Sequence, residues 1–475
     1  MTRPTQATRQ RWTCAAFLVA VVTSPLLAQD RADSVQRPAA GAAGPTAQTS
    51  VASSLSLRTA IQQGLEYNLT AVGLRHLLTE AQGRQQVARS ALRPNVIGTL
   101  TASEQRVNVS ALGVRFDLPI PGYSLPAVVG PFNVVELRAR LTQSIVDRVA
   151  SNNYRTTTEL LRASELSLED SRNLVVLSVA GAYLRTIAGK AGVESARVQV
   201  DTATALLRRT TEQRDAGLAT PIDVNRAQAQ LLTQQQRLVS LQNDVAKQKI
   251  TLARLIGMSP GGRFDVSDDV AFEAPPTLTV EQALSQAAVQ RADLKAAEAR
   301  QRAAQLALDA ARAERLPSLY ASADVGASQA GSAQGHGTFS LAGTVRIPLW
   351  EGGRAGGQVT EASAELAQRQ AELDDLKAEI EGDVRKAYLD LEANSSHVEV
   401  ARRHLEVTRD NLVLTRQRFD AGVSDNADLV QSQESVATAE LTYIDSVFAH
   451  NVAKLDLARA LGRAWEDLPQ FLQIR

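Results

Sequence analysis

The chain carries one structural unit twice, and this duplication constrains the fold more than any other feature of its 475 residues. Leu55 to Leu69 (LSLRTAIQQGLEYNL) matches Leu278 to Ala292 (LTVEQALSQAAVQRA), with Ala60 against Ala283. Pro94 of LRPNV falls against Pro317 of RLPSL at the same offset of 223. Further on the offset is 205. Ala182-Tyr183-Leu184 matches Ala387-Tyr388-Leu389, Asp215-Ala216-Gly217 matches Asp420-Ala421-Gly422, and ARLIG at 253–257 matches ARALG at 458–462. The 18 residues of difference fall between Pro94 and Ala182, where the first copy carries FDLPIPGYSLPAVVGPF at 116–132. Residues 55–257 and 278–462 therefore read as two copies of one unit with one loop of variable length, joined by a connector at 258–277 and followed by a tail at 463–475.

Proline spacing outlines each copy. No proline occurs between Pro131 and Pro221, or between Pro348 and Pro469, and Pro221 follows Thr220 as at the first turn of a helix. The spacing predicts very long helices at 148–213 and 354–418, each about 65 residues and roughly 100 Å. Their apolar residues recur every seven positions: Val384, Leu391, Val398, Leu405 and Leu412, beside Val359, Leu366, Leu373, Ile380 and Ala387. The first copy has Val179, Thr186, Val193, Val200 and Leu207. That repeat means coiled-coil packing, since helices of an ordinary bundle rarely run so far without caps. Gly189 and Gly192 are expected to bend the first long helix. Single helices at 55–91, 221–257, 278–315 and 426–462 complete the α part, two of them end to end matching one long helix.

Strands fill the remainder. Phe339, Leu341, Gly343, Val345, Ile347 and Leu349 alternate with Ser340, Ala342, Thr344 and Arg346, as Val135, Leu137, Ala139 and Leu141 do with Glu136, Arg138 and Arg140. Partners are expected near 96–107 and 318–328. A membrane barrel with a wet lumen and a soluble sandwich would both show this alternation. Past residue 30 no apolar run is expected to make a membrane helix, so a spanning part must be a closed barrel. Four strands fall short of the smallest such barrel, which needs eight, so the chain must then assemble with copies of itself.

The N-terminus reads as a secretory leader at 1–28: Arg3, Arg9 and Arg11, then the apolar CAAFLVAVV at 14–22, then a cleavage region near Ala28. Residues 29–54, rich in Ala, Gly, Pro and Ser, read as a disordered lead-in. The single cysteine, Cys14, lies in the leader, which excludes a disulfide framework and any cysteine metal site from the mature chain. Lysine and arginine number 51 and so do aspartate and glutamate, a balance that argues against nucleic acid as a partner. No nucleotide, zincin, serine-hydrolase or dinucleotide fingerprint occurs, and no cofactor is implied. His397 and His404 share a helix face without a carboxylate cluster, and no metal site is expected. Nothing in the sequence supports an enzyme.

Leader, duplicated unit, coiled-coil hairpins and strand pairs together resemble the TolC-like outer-membrane efflux family over about 55–465. The most specific segments are the two helix turns, RDAGLATPIDVNRAQAQLL (214–232) and RFDAGVSDNADLVQSQESVATAE (418–440), in which Gly217 precedes Asp223 and Gly422 precedes Asp428 by six. Glycine permits the backbone reversal that ends a helix, and aspartate suits the start of the next. The resemblance implies a mainly α fold with a β membrane part: two tandem repeats build a coiled-coil tunnel through the periplasm and contribute four strands to a 12-stranded barrel of a homotrimer in the outer membrane. It implies partners as well: outer-membrane lipid, a periplasmic adaptor and an inner-membrane pump. By position, the family's entrance residues correspond to Phe419, Ser424, Asp428 and Gln431. The aromatic and one acid are kept, while an arginine and a second acid are absent, so a weaker latch is expected. The same reading gives an acidic entrance ring of Asp428 with Asp425, and tips at Gly217, Asp223 and Gly422 that contact the adaptor. Helix capping accounts equally well for Asp223 and Asp428.

The expected function is a passive export duct. A periplasmic coiled-coil scaffold without a channel is the alternative, and it predicts a protein that leaves membranes without detergent.

Overall fold

The computed structural model describes residues 53–109, 111, 127–268, 272–273, 278–331, 334–421, 423 and 426–465, all within the unit Val51–Arg475. The expected leader at 1–28 lies outside these residues, as do most of the lead-in, the centre of the loop after Asn108, and 466–475. The elements run β1 (Ser53–Leu55), α1 (Leu57–Tyr67), α2 (Leu69–Ser90), β2 (Asn95–Asn108), β3 (Val128–Val146), α3 (Arg148–Asp215) and α4 (Pro221–Leu255). They continue with β4 (Phe264–Val266), α5 (Val280–Gln290), α6 (Ala292–Ala313), β5 (Ser318–Ala330), β6 (His336–Arg346), α7 (Arg354–Asp420) and α8 (Asn426–Ala460). Two helices, two strands, one long helix and one shorter helix thus occur in the same succession twice.

The long helices α3 and α7 have 68 and 67 residues. On α7 the buried side chains are Leu373, Ile380, Val384, Ala387, Leu391, Val398, Ala401 and Leu405, two lines of seven-residue spacing that form one seam. Helix α2 and then α4 lie along α3, while α6 and then α8 lie along α7, and α3 also touches α6 and α8. Helix α3 runs unbroken through Gly189 and Gly192. Gly189 serves close packing instead, since a β-carbon there would run into Val245 and Gln248 of α4.

Two expectations are corrected here. Segments 55–91 and 278–315 are each two helices, broken at Asn68 and Arg291, whose backbones are extended with ψ 127° and 121°. The breaks occur where another helix ends against the chain. Gly257, just past α4, sits on Tyr67, and Gly462, just past α8, sits on Arg291. The second correction concerns apolar runs: α3 contains a stretch long and apolar enough by composition to cross a membrane. Its Val175, Val176, Val179, Ala180, Tyr183 and Leu184 are instead buried in the main core, beside Leu57, Ile61, Leu252, Ile256, Leu455 and Leu457.

This core is tied to the connector. Strands β1 and β4 pair in parallel, so Ser53 and Ser54 at the end of the expected lead-in are part of the sheet. The Tyr183 hydroxyl donates to the Leu55 carbonyl at 2.7 Å and to Asp268 Oδ2 at 3.0 Å, and the Leu57 amide donates to the same carboxylate at 2.7 Å. Buried His450 of α8 makes a 3.0 Å bond from Nε2 to the Glu273 carbonyl, with its ring tilted on Phe272. Arg291, 4% exposed, is held by Asp293 at 2.6 Å and Asp383 at 3.3 Å. An unpaired charge there would be expensive, so the pairs are required.

The other four strands form one antiparallel sheet in the order β2-β3-β5-β6. Opposed residues share a face. One rung reads Val96, Leu141, Ala323, Leu341, and the rung beside it Ile97, Arg140, Asp324, Ser340. Apolar and polar rungs alternate in this way along the sheet, with Asp324 accepting from Arg138 at 2.9 Å and Arg140 at 3.4 Å on the polar face. Strand β6 is exposed on both faces. It ends at Arg346 rather than Leu349, because Pro348 has no N–H for the ladder.

Candidate functional site

The site lies where each long helix turns into its shorter partner. At the end of α3, Gly217 takes a φ of +75° and the Leu218 amide reaches back to the Gln213 carbonyl at 2.7 Å, closing a glycine-type helix stop. Thr220 then caps α4 reciprocally with Asp223. The Asp223 amide donates to the Thr220 hydroxyl at 3.3 Å, and the Thr220 amide donates to Asp223 Oδ2 at 3.0 Å. The hydroxyl bond from Thr220 at 2.7 Å and the amide bond hold the Asp223 carboxyl below its usual range. Asp223 is thus a capping residue. Leu218 and Ile222 stand out at the apex, 80% and 62% exposed.

The second turn is built differently. Helix α7 ends at Asp420, the Val423 amide donates to the Arg418 carbonyl at 2.9 Å, and α8 begins at Asn426. Gly422, Ser424 and Asp425 lie outside the described residues. Asp428 is exposed in the first turn of α8, where a carboxylate meets the positive end of the helix, and exposed Gln431 shares its face.

Phe419 is half-buried and packs with Leu206, Ala227 and Leu429 in a small core between the two hairpins. The Arg209 guanidinium lies 5.7 Å from its ring centre and pairs with Asp420 at 2.7 Å. Buried Asn426 donates from Nδ2 to the Asp223 carbonyl at 3.0 Å, so Asp223 meets the other hairpin through its backbone. Asp223, through its carbonyl, and Phe419, through its ring, thus each meet the opposite hairpin, while Asp428 and Gln431 are exposed.

Residues the sequence reading did not single out hold the hairpins together further along. Glu434 of α8 accepts from Arg237 at 2.6 Å, Gln234 at 2.8 Å and Gln230 at 3.4 Å, all on α4. Glu440 accepts from Ser195 at 2.5 Å and Gln199 at 3.2 Å of α3 and from Arg409 of α7 at 2.8 Å. Burial pushes the Glu434 carboxyl up, but the bond from Arg237 and its charge outweigh this and leave it below the ordinary glutamate range. Gln230, Gln234 and Arg237 are spaced as neighbours on one helix face, and that polar run was the available signal. The arrangement is one of reversible polar ties between two rigid hairpins. Among the described residues no group of three or more His, Asp or Glu side chains could hold a metal ion.

A family model described as "Outer membrane efflux protein" matches residues 60–258 and 283–463. The chain is 25% identical over 396 residues to the pyoverdine export outer membrane protein OpmQ of Pseudomonas aeruginosa, covering 82% of this chain and 81% of that protein. It is also 25% identical over 436 residues to outer membrane protein OprJ of the same organism, covering 86% and 85%. Among solved structures, the outer membrane protein VceC of Vibrio cholerae superposes with a TM-score of 0.73 at 20% identity, over 86% of this chain and 96% of that one. The CmeC outer membrane channel of Campylobacter jejuni gives 0.73 at 15% identity, over 86% of each chain.

Proposed function

Because this chain belongs to the outer membrane efflux protein family and resides in the outer membrane with its helices in the periplasm, we propose that it is the exit duct of a tripartite efflux or secretion system. The observation that carries this reading is the four-stranded sheet. Its rungs alternate apolar and polar, and its outermost strands β2 and β6 have open edges that a hydrocarbon environment does not tolerate. Strands β2 and β6 run in opposite directions, so β6 of one copy can pair antiparallel with β2 of the next. Three copies then close a barrel of 12 strands, lipid outside and a polar lumen within.

The helices carry matching seams. Leu232, Val239 and Ile250 on α4 are exposed, as are Leu389, Val400, Val407 and Leu414 on α7. Their spacings of seven and eleven are those of coiled-coil lines, and a second copy is the natural cover. The homotrimer works with a periplasmic adaptor at the tips and an inner-membrane pump that supplies the energy. OpmQ exports pyoverdine by its name; for this chain the cargo class is set by its pump. Single-particle images of the detergent-extracted protein should show a threefold tube with a helical stem of roughly 100 Å. A monomer soluble without detergent would overturn the duct and favour the scaffold.

At the entrance, Asp428 of the three copies forms an acidic ring beside the capped tips, with Asp425 three positions earlier in the sequence. Asp428→Asn should lower the preference for cations in planar bilayers, read as a shift of reversal potential under a salt gradient. An unchanged reversal potential would remove the ring.

A further inference from the structure

The duplicated unit opens each long helix with an arginine, Arg148 on α3 and Arg354 on α7. In the second copy that charge is answered, since Arg354 pairs with Glu314, just past α6, at 2.7 Å and with Glu351 at 2.9 Å. The first copy has no such acids. Counted back from the matched proline and from the helix start, the two places hold Ala91 and Ile145. Arg148 is exposed and makes no ion pair or side-chain hydrogen bond among the described residues. Arg346, which ends β6, is in the same state.

These two arginines line one cavity of about 410 Å³ where the sheet meets the helices, together with Asp147, Glu314, Tyr320 and Glu351. The carboxylates there are already engaged. Asp147 accepts from the Ala150 amide and from the Tyr320 hydroxyl, each at 2.9 Å, and Glu314 and Glu351 share Arg354. Tyr320 and Arg346 are in phase with Asp324 on the polar rungs of the sheet. In a barrel that face looks into the lumen.

We propose that Arg148 and Arg346 form a site for carboxylate or phosphate groups of solutes, one per copy, on the duct wall where the tunnel meets the barrel. The proposal rests on the duct reading above. A guanidinium is a planar fork of donors that matches either anion, and two forks without partners of their own converge on one concavity. Its volume lies within the range of small-molecule clefts. The polar rungs select a soluble anion over a lipid phosphate as the occupant.

The test begins with arginine modification by phenylglyoxal in the detergent-extracted full chain, read at each arginine by peptide mass spectrometry. Citrate at about ten times its dissociation constant should slow modification of Arg148 and Arg346 by about tenfold, while exposed Arg58 on α1 reacts as before. Equal rates with and without citrate overturn the site. Protection by phosphatidylglycerol vesicles without citrate also overturns it, because the pair then faces lipid. In planar bilayers, Arg148→Gln with Arg346→Gln should shift the reversal potential under a salt gradient toward greater preference for cations. A conducting channel with an unchanged reversal potential overturns the role of the pair in the lumen. Protection by citrate in a chain that forms no channel overturns the duct reading itself, and the transport role of the site falls with it.

Discussion

Replacing Gly462 with valine should leave little folded protein in the membrane fraction. Gly462 has a φ of +88°, and a β-carbon there would lie 2.8 Å from the Arg291 α-carbon, which is backbone and cannot swing aside. A left-handed backbone costs a side-chain-bearing residue about 1–2 kcal/mol, and forcing volume into packed structure adds about 1–3 kcal/mol. The displaced residue is also the buried arginine that holds Asp293 and Asp383, so the ion pairs are disturbed too. The sum reaches a large share of the roughly 5–15 kcal/mol that keeps a domain folded. Gly257 occupies the matching place, at +75° against Tyr67, and should behave alike. Gly217 is the contrast. It has the same φ of +75° but nothing within 4 Å of its would-be β-carbon. Gly217→Val should therefore accumulate near normally and fail at adaptor-dependent export. Equal membrane abundance of the Gly462 and Gly217 variants in immunoblots would refute the docking account.

The second large effect is expected from opening the ties between hairpins. Glu434→Ala with Arg209→Ala removes three bonds to α4, the ion pair to Asp420 and the contact on Phe419. These groups are partly exposed, so about 1 kcal/mol or less per bond is appropriate. A total near 3 kcal/mol corresponds to about a hundredfold rise in the ratio of separated to joined hairpins. In planar bilayers that should appear as a matching rise in time spent at a larger conductance. Acid should act in the same direction, and the sign follows from Glu434. Its carboxyl titrates below the ordinary value, so its contribution is complete above about pH 4.3 and is lost as pH falls through the lower value. Conductance should hold steady from neutrality to about pH 5. Opening near pH 6 in a chain that keeps Glu434 would assign the control to a histidine.

The long helices and the sheet faces were legible because they rest on periodic signals, seven for the seams and two for the strands. What was not legible came from contacts distant in sequence. The breaks at Asn68 and Arg291 involve neither proline nor glycine at the break itself. They fall where Gly257 and Gly462, at helix endings 189 and 171 positions away, lie against the chain. The apolar stretch of α3 could not be told from a membrane helix by composition, since only its neighbours α1, α4 and α8 reveal that it is core. At the tips, the cap between Thr220 and Asp223 was readable because both partners lie within one turn. Glu434 and its three donors were not, because they lie about 200 residues apart. The strand end at Arg346 was readable from Pro348, and the alternation alone carried it three residues too far.

The strand order β2-β3-β5-β6 also has a genetic consequence. Its two open edges belong to the first and last strands of the sheet, so no chain can satisfy its own backbone in lipid. In the proposed three-chain barrel, each ring is only as sound as its worst member. In a cell making equal amounts of intact chain and a chain whose β6 edge cannot pair, only about one ring in eight of three copies escapes the defect. Lesions on either edge should therefore be dominant over the wild-type allele. Lesions in the main core around Tyr183, which stop a chain from folding before it meets its partners, should be recessive.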